Sequence, residues 1–558
     1  MNGGRICPED NVMKVLIAAL LLSPSVVAQT TMQMSHEDDH RPVPIVHGLG
    51  NSNHPIRTSS PDAQRYFNQG LDYIWAFNHD EARRSFEKAA ELDPTSAMPL
   101  WGEALAVGPN YNDIDIGHAR AQQAINALAK ARSLAQTQPE RDYIRALSAR
   151  YSGNGDSIVV HGNEYAEAMK ALAASYPNDL DAATLYAEAL MDLNPWKLWN
   201  PDGSPAQNTN EIISTLQTVL KKDPTHVGAN HLLIHATEAS PHPEIALASA
   251  KFLEDAAPAA GHLVHMPAHT YQRTGNFSGS QIANERAVAA DRAYFKSQHI
   301  ENETNMYYNM YYVHNIHFLA AACAMEGNNA CTQKAGADLV AQVLPATREH
   351  LETEWFMPTQ PWMLTRFQQW ETILASPMPE ARLKDLTAFW HYARGSAFAA
   401  QHKLPEALKE RAALSDRINT LPAKPIPDFM NPARSALQLA LDVLDARILE
   451  AQGKVSEAIE VWKKAVALND TFVYNEPADW YYPVRESLGG ALLRAHRPAE
   501  AESVFRRDLE LNPGNGRSLY GLWQSQLALH KSAEAEKTEA EFKDAWKFAD
   551  TTLSISTL

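Results

Sequence analysis

YFNQGLDYIWAFNHDEARRSFEKAAELDP, residues 66–94, is the stretch that decides the fold. Within it Tyr66, Gly70, Tyr73, Ala82, Phe86, Ala89 and Pro94 carry the spacing of a 34-residue helix–turn–helix unit, with small residues where its two helices touch. Near the other end Gly489, Leu492, Ala501, Phe505 and Pro513 repeat the pattern, and weaker copies run through Gly395/Ala407, Gly453/Ala458/Ala465 and Ala535. Pro224 and Pro258 also stand one period apart. Between these copies, irregular stretches fall near 108–120, 194–210, 296–312 and 345–385. A unit of this size cannot bury its apolar face alone, so the period predicts stacked helical hairpins.

The composition agrees with an ordinary folded chain: 558 residues, 45% hydrophobic, 21% charged and 8% aromatic, with 25 Gly and three Cys. Disorder, collagen and a disulfide scaffold are excluded. With 49 Lys+Arg against 66 Asp+Glu the net charge is −17, so the basic field that holds a phosphate backbone is missing and nucleic acid is excluded as a partner. The 22 His stand out, because His is the side chain most used for metals and for proton transfer near neutral pH.

At the amino terminus, Met13-Lys14 followed by the apolar run Val15–Leu22, Pro24 and Val26-Val27-Ala28 reads as a secretory signal starting at Met13 and cleaved after Ala28. The expected location is therefore periplasmic or secreted. The run is too short for a membrane span and no later stretch reaches one. Export to an oxidising compartment leaves Cys323 and Cys331 either closed in a local disulfide or apart as two buried thiols. Residues 29–58 read as a flexible leader. Its His36-Glu37-Asp38-Asp39-His40 matches the His-Glu-x-x-His string by chance, lacking the apolar helix that should carry it.

On the residues 66–94 and 489–513 just quoted, the chain resembles the tetratricopeptide repeat (TPR) superfamily over nearly all of its mature length. The resemblance implies an all-α fold, a TPR-type α-solenoid: a right-handed superhelix of helix–turn–helix repeats, interrupted by irregular insertions. It divides the chain into a signal peptide (1–28), the leader (29–58), N-terminal TPR-like repeats (59–225), central His-rich repeats (226–344), an insertion (345–385) and C-terminal repeats (386–558). It also implies a ligand-binding concave groove touched by the second, fifth, ninth, twelfth and thirteenth places of each first helix.

Counted in that register, repeats begin at Val227, Gly261 and, after an insertion, Val313. His231, His265 and His317 then share the fifth place, His235 and His269 the ninth, and His262 and His314 the second. Spacing alone gives the same grouping. His231/His235 and His265/His269 are i,i+4 pairs, His262/His265 and His314/His317 are i,i+3 pairs, and each set lies on one helix face. Neighbouring helices pack 8–10 Å apart, close enough for imidazoles from two of them to meet at one ion. All seven are candidate ligands of a transition metal, Cu, Zn or Fe, as two ions or as one with the remaining His moving protons. The paired His-x-x-x-His units also resemble the ligand pattern of coupled dicopper proteins.

Glu238, at the twelfth place, is a candidate metal ligand, imidazole orienter or general base, and Gln272 and Arg273 are candidate contacts for a polar or anionic substrate. Tyr307-Tyr308-x-x-Tyr311-Tyr312 either walls a pocket above the histidines or packs an inserted helix. Trp355-Phe356 and Trp362 either cap the groove or cover helix surface, His391 reads as structural, and Arg485/Glu486 reads as a salt bridge. No phosphate loop, nucleophile elbow, Cys-x-x-Cys or Rossmann fingerprint is present.

Gly261–Tyr271, Val313–Leu319 and the Trp-Tyr-Tyr-Pro segment resemble a group of exported bacterial TPR proteins, some loosely named as components of TonB-linked uptake; that implies the cell envelope. The sequence thus points to an exported solenoid whose His-lined metal site binds or transforms a small or peptide-like ligand. The alternatives are a metal-free protein–protein interaction scaffold of the envelope, and metal storage or delivery. Whether the site is catalytic is left open.

Overall fold

The computed structural model describes Met1 and residues 41–300, 306–421 and 430–558; the segment expected to be a signal peptide and the His36–His40 string lie outside them. The described residues are predominantly helical, the two short strands Tyr151–Ser152 and Val159–Val160 making one small antiparallel pair. No helix among them is long and apolar enough to cross a membrane.

The first repeat forms as its sequence dictates. Ser60 caps the Pro61–Trp75 helix through Ala63 N–H, with Pro61 at the position where a missing N–H costs nothing, and Asn78 caps His79–Leu92 through Glu81 N–H. Phe86 of the second helix lies between Gly70 and Gly102, where an added Cβ would come within 2.5 and 2.4 Å of its ring. Phe505 is held in the same way by Gly489 and Gly521, at 2.3 and 2.1 Å. The small residues of the period are thus the points where one helix presses on the aromatic ring of the next.

These hairpins bury two large apolar cores, one running from Leu49 to Leu383 and one from Ala320 to Leu558. They meet along the Tyr312–Glu326 helix, which contributes Ile316 to the first and Ala324 to the second.

The structure departs from the sequence reading in three places. Residues 41–58, expected as a flexible leader, lie against the first repeat: Val46 N–H donates to Gln69 Oε1 (2.8 Å), Ser52 N–H to Asp72 Oδ1 (3.0 Å) and Tyr66 OH to Val43 O (2.8 Å). The insertion 345–385 holds the helices Thr359–Arg366 and Trp370–Ala375 after a 3₁₀ turn at Leu351–Phe356. Arg485 and Glu486 do not pair with each other. Adjacent residues on a helix point apart, so Arg485 reaches Asp470 (2.6 Å) while Glu486 takes Arg366 (2.9 Å) and Arg517 (2.7 Å). Where the sequence left two alternatives open, Cys323 and Cys331 are joined in a disulfide.

Candidate metal centre

Three segments carry the histidines. Val227–Thr237 holds His231 and His235; Gly261–His265 and Pro267–Thr274 hold His262, His265 and His269; Tyr312–Glu326 holds His314 and His317. The structure brings six of the seven together, as two adjoining sets. The ligating atoms of His231, His235 and His262 all lie within 4.8 Å of one another, and so do those of His265, His269 and His314. His231 Nε2 is 3.1 Å from His262 Nε2, and His265 Nε2 is 2.7 Å from His269 Nε2. The rings of His235 and His269 link the sets at 5.6 Å between centroids.

His317 is the exception. Its Nε2 bonds to Tyr481 OH at 2.7 Å, which turns the ring away from both sets, so it does not join the ligands. His391 is structural as expected, paired with Glu410 at 2.5 Å.

The other ring nitrogen of each histidine decides what the cluster can do. His231 Nδ1 faces the backbone carbonyl of Trp75 at 2.6 Å, and a carbonyl only accepts, so this nitrogen carries the proton. His265 Nδ1 faces Asn284 Oδ1 at 2.6 Å, and the amide is fixed in that sense because Asn284 Nδ2 donates to Ser280 O. Glu238 serves two rings at once, Oε1 at 2.9 Å from His235 Nδ1 and Oε2 at 2.7 Å from His269 Nδ1. In His231, His235 and His265, Nδ1 is hydrogen-bonded to an oxygen and Nε2 is turned inward, whereas His269 Nδ1 lies against Glu238 Oε2 without a hydrogen bond. His235 Nε2 is buried without a hydrogen-bond partner, as is His262 Nδ1.

Glu476, which sequence reasoning missed, completes the centre. It comes from the loop between two C-terminal helices and brings Oε2 to 2.8 Å from His269 Nδ1. Neither carboxylate oxygen lies along the ring N–H direction, so Glu238 Oε2, Glu476 Oε2 and His269 Nδ1 converge without a hydrogen bond among them. The only signal in the sequence was proximity to the Trp480-Tyr481-Tyr482 run; a loop has no helical register to place its side chains. Phe77, just past the first helix with φ 53°, was also missed. It stacks on His235 and His262 and closes the first set from one side.

Electrostatics follow from this burial. Burial, reinforced by the neighbouring imidazoles, holds His231, His262, His265 and His314 well below the ordinary histidine value, and brings His235 to about 3. His269 is the opposite. Burial would lower it, but Glu476 and Glu238 raise it to about 10. Burial, together with repulsion from Glu238, pushes Glu476 upward.

Of the substrate candidates, Arg273 is turned to the backbone, donating to Glu238 O (2.9 Å) and Ser240 O (3.2 Å); it steadies the segment that carries Glu238. With Gln272 it lines a cavity of about 480 Å³ beside His269 and Glu476. A second cavity, about 430 Å³, opens on His235, His262 and His314. The tyrosine run divides between its two readings. Tyr311 packs on His262 and lines this cavity, whereas Tyr312 packs on Phe295. Trp355, Phe356 and Trp362 line it as well.

A separate group lies in the first repeats, where Asp181 bridges His54 (2.8 Å) and His226 (3.2 Å). Burial opposes the charge of His54, but the bond and charge of Asp181 raise it above 6.5; burial likewise opposes the charge of Asp181, but His226 and His54 hold it below 3.8. Their stabilisation is therefore complete between those two values. It declines as pH rises through the raised His54 value, and as pH falls through the depressed Asp181 value. Urea unfolding of the wild type and Asp181→Asn is expected to show the widest gap near pH 5 and a narrower one at pH 8. An equal gap at both would remove this pair from the account.

Residues 63–96 match the tetratricopeptide repeat family model. That hairpin is of the tetratricopeptide type, within an all-α fold of stacked helical hairpins. Solved structures similar to the chain include the APC/C hetero-tetramer Cut9–Hcn1, at 12% identity over 86% of this chain and 79% of that one, TM-score 0.30. Yeast Tom70 is similar at 12% identity over 88% and 86%, TM-score 0.31, and the P58(IPK) TPR domain at 11% over 84% and 99%, TM-score 0.21. No curated protein matches the chain by sequence. The face that carries the histidines is covered by Phe77, Tyr311 and the Glu476 loop.

Proposed function

We propose that this solenoid holds a transition-metal centre, two ions of Cu, Zn or Fe with one at each three-histidine set, and that the centre binds and transforms a small molecule entering the 430 Å³ cavity. One observation carries the reading: His231, His235 and His265 each have Nδ1 hydrogen-bonded to an oxygen acceptor, so that three Nε2 atoms face inward, one of them with no partner at all. Metal-ligating histidines are oriented in this way by carboxylates and carbonyls. Burying unpartnered imidazole nitrogen is costly, and an ion removes the cost. The nitrogens also have room for one. Two of them bound at 2.0–2.1 Å to a tetrahedral ion stand about 3.3 Å apart, close to the 3.1 Å between His231 and His262. The nitrogen-rich donor set suits these metals and argues against Mg and Ca. Glu476, which lines both cavities, and His269 beside it would hold and pass a proton.

The Cys323–Cys331 disulfide supports export, periplasmic or secreted. Elemental analysis of untagged, dialysed protein tests the centre. About two equivalents of metal per chain are expected, falling by about half in His231→Ala. Protein that is metal-free after dialysis, and unchanged by that substitution, would return the chain to the class of metal-free interaction scaffolds.

A further inference from the structure

Three buried donor atoms converge on the far side of the His269 ring, and none has a hydrogen-bond partner. Glu238 Oε2 and Glu476 Oε2 stand 2.7 and 2.8 Å from His269 Nδ1, and the three side chains are only 1–2% exposed.

Direction tells what belongs between them. In a hydrogen bond the acceptor sits on the N–H axis. Around an ion that axis holds the ion, and the other donors stand to its side, as both carboxylate oxygens do here. Donors at right angles on a six-coordinate ion, each about 2.1 Å from it, stand about 3.0 Å apart, close to the two distances seen. An ion at that distance fits where a water, which needs about 2.8 Å to each oxygen, does not.

The carboxylates are held in place for it. Glu238 Oε1 accepts from His235 Nδ1 (2.9 Å) and Glu476 Oε1 accepts from Tyr474 OH, so each is fixed through one oxygen and turns the other inward. Among the described residues no lysine or arginine pairs with either, so two buried carboxylates lack the second positive charge that a dication supplies. Two carboxylates and one imidazole also differ from the all-nitrogen sets nearby. Carboxylate suits Mn and the harder ions, imidazole suits Fe and Zn and argues against Mg and Ca, and the two preferences overlap at Mn(II) and Fe(II).

We infer that Glu238, His269 and Glu476 hold a further divalent ion, Mn(II) or Fe(II), beside the 480 Å³ cavity that His269 and Glu476 line. Three protein ligands leave it positions for water or a substrate atom. This ion is additional to the two at the three-histidine sets, and its site shares only His269 with them. When an ion of the His265, His269 and His314 set takes Nε2 and this one takes Nδ1, the ring bridges them as imidazolate and its last proton leaves to solvent. The ion and the proton carried by Glu476 and His269 therefore occupy the same atoms by turns.

The test is Mn(II) titration of chelator-stripped, full-length protein, followed by loss of the EPR signal of the free ion. The nitrogen sets bind Mn(II) the least of the first-row dications, so about one Mn(II) per chain is expected. Glu476→Gln should weaken it more than about tenfold, since a lost ligand costs at least as much as a lost outer partner. His231→Ala, which removes a ligand of the far set alone, should leave it unchanged. No bound Mn(II), or binding that Glu476→Gln does not weaken in a variant shown by circular dichroism to be folded, would overturn the inference. Metal content measured before stripping keeps the two readings apart. Protein that arrives without metal yet binds Mn(II) through Glu476 keeps this site and loses the two-ion centre; protein that arrives with two ions and then binds no Mn(II) does the reverse.

Discussion

Glu238→Ala is expected to weaken metal binding about 100-fold, with the helical content unchanged. A partner that orients one metal-ligating histidine is worth about 10–100-fold in affinity; this carboxylate hydrogen-bonds His235 of one set and sets its other oxygen, as a charge, 2.7 Å from His269 Nδ1 of the other. Without it His235 loses the only hydrogen-bond partner of its ring, and His269 keeps Glu476 alone, off the N–H direction. The loss belongs at the upper end of the range rather than at twice it, because groups acting as a unit are not additive. Glu238→Gln separates orientation from charge. Its one remaining oxygen can still accept from His235 while the charge beside His269 is lost, so a loss of about tenfold is expected. Competition with a chromogenic chelator measures each affinity, and far-UV circular dichroism confirms the fold. An affinity unchanged in both variants would show that Glu238 does not support a metal site.

What the sequence could and could not disclose follows from where each group sits. The period is legible because the same contact recurs: Gly70 and Gly102 on Phe86, Gly489 and Gly521 on Phe505, each needing a residue without a side chain at a fixed interval. The six clustered histidines are legible because three helices share one register, and a helix converts spacing into direction. His317 obeyed that register and still left the set, since Tyr481, from a loop beyond any register, offered its hydroxyl. Glu476 was hidden for the same reason. Arg485 and Glu486 misled because neighbours in sequence diverge on a helix and find partners elsewhere. The orientation of each imidazole was unreadable in principle, because it depends on a carbonyl, an amide and two carboxylates brought in by the tertiary fold.

The second large effect is on stability and lies in the repeats that deliver Glu476. Glu486→Ala is expected to destabilise the C-terminal half by about 3–5 kcal/mol, the cost of leaving buried charge without its partner. Glu486 is 1% exposed and is the carboxylate between two buried guanidiniums, Arg366 from the insertion (2.9 Å) and Arg517 from a late repeat (2.7 Å), with Asn515 Nδ2 donating to it at 2.9 Å. Truncation strands both cations where burial already lowers Arg517 to about 10. The Arg366 helix also carries Trp362 in the wall of the ligand cavity, so this carboxylate ties the cavity to the repeats around it. Glu486→Gln keeps the shape and one acceptor, and about half the loss is expected. Because solenoids unfold in stages, the readout is the midpoint of the late-repeat transition in urea, followed by hydrogen exchange of residues 484–528. A shift below about 1 kcal/mol for the alanine variant would mean that water or Asp508 replaces Glu486 as the counter-charge, and that the network does not hold the insertion in place.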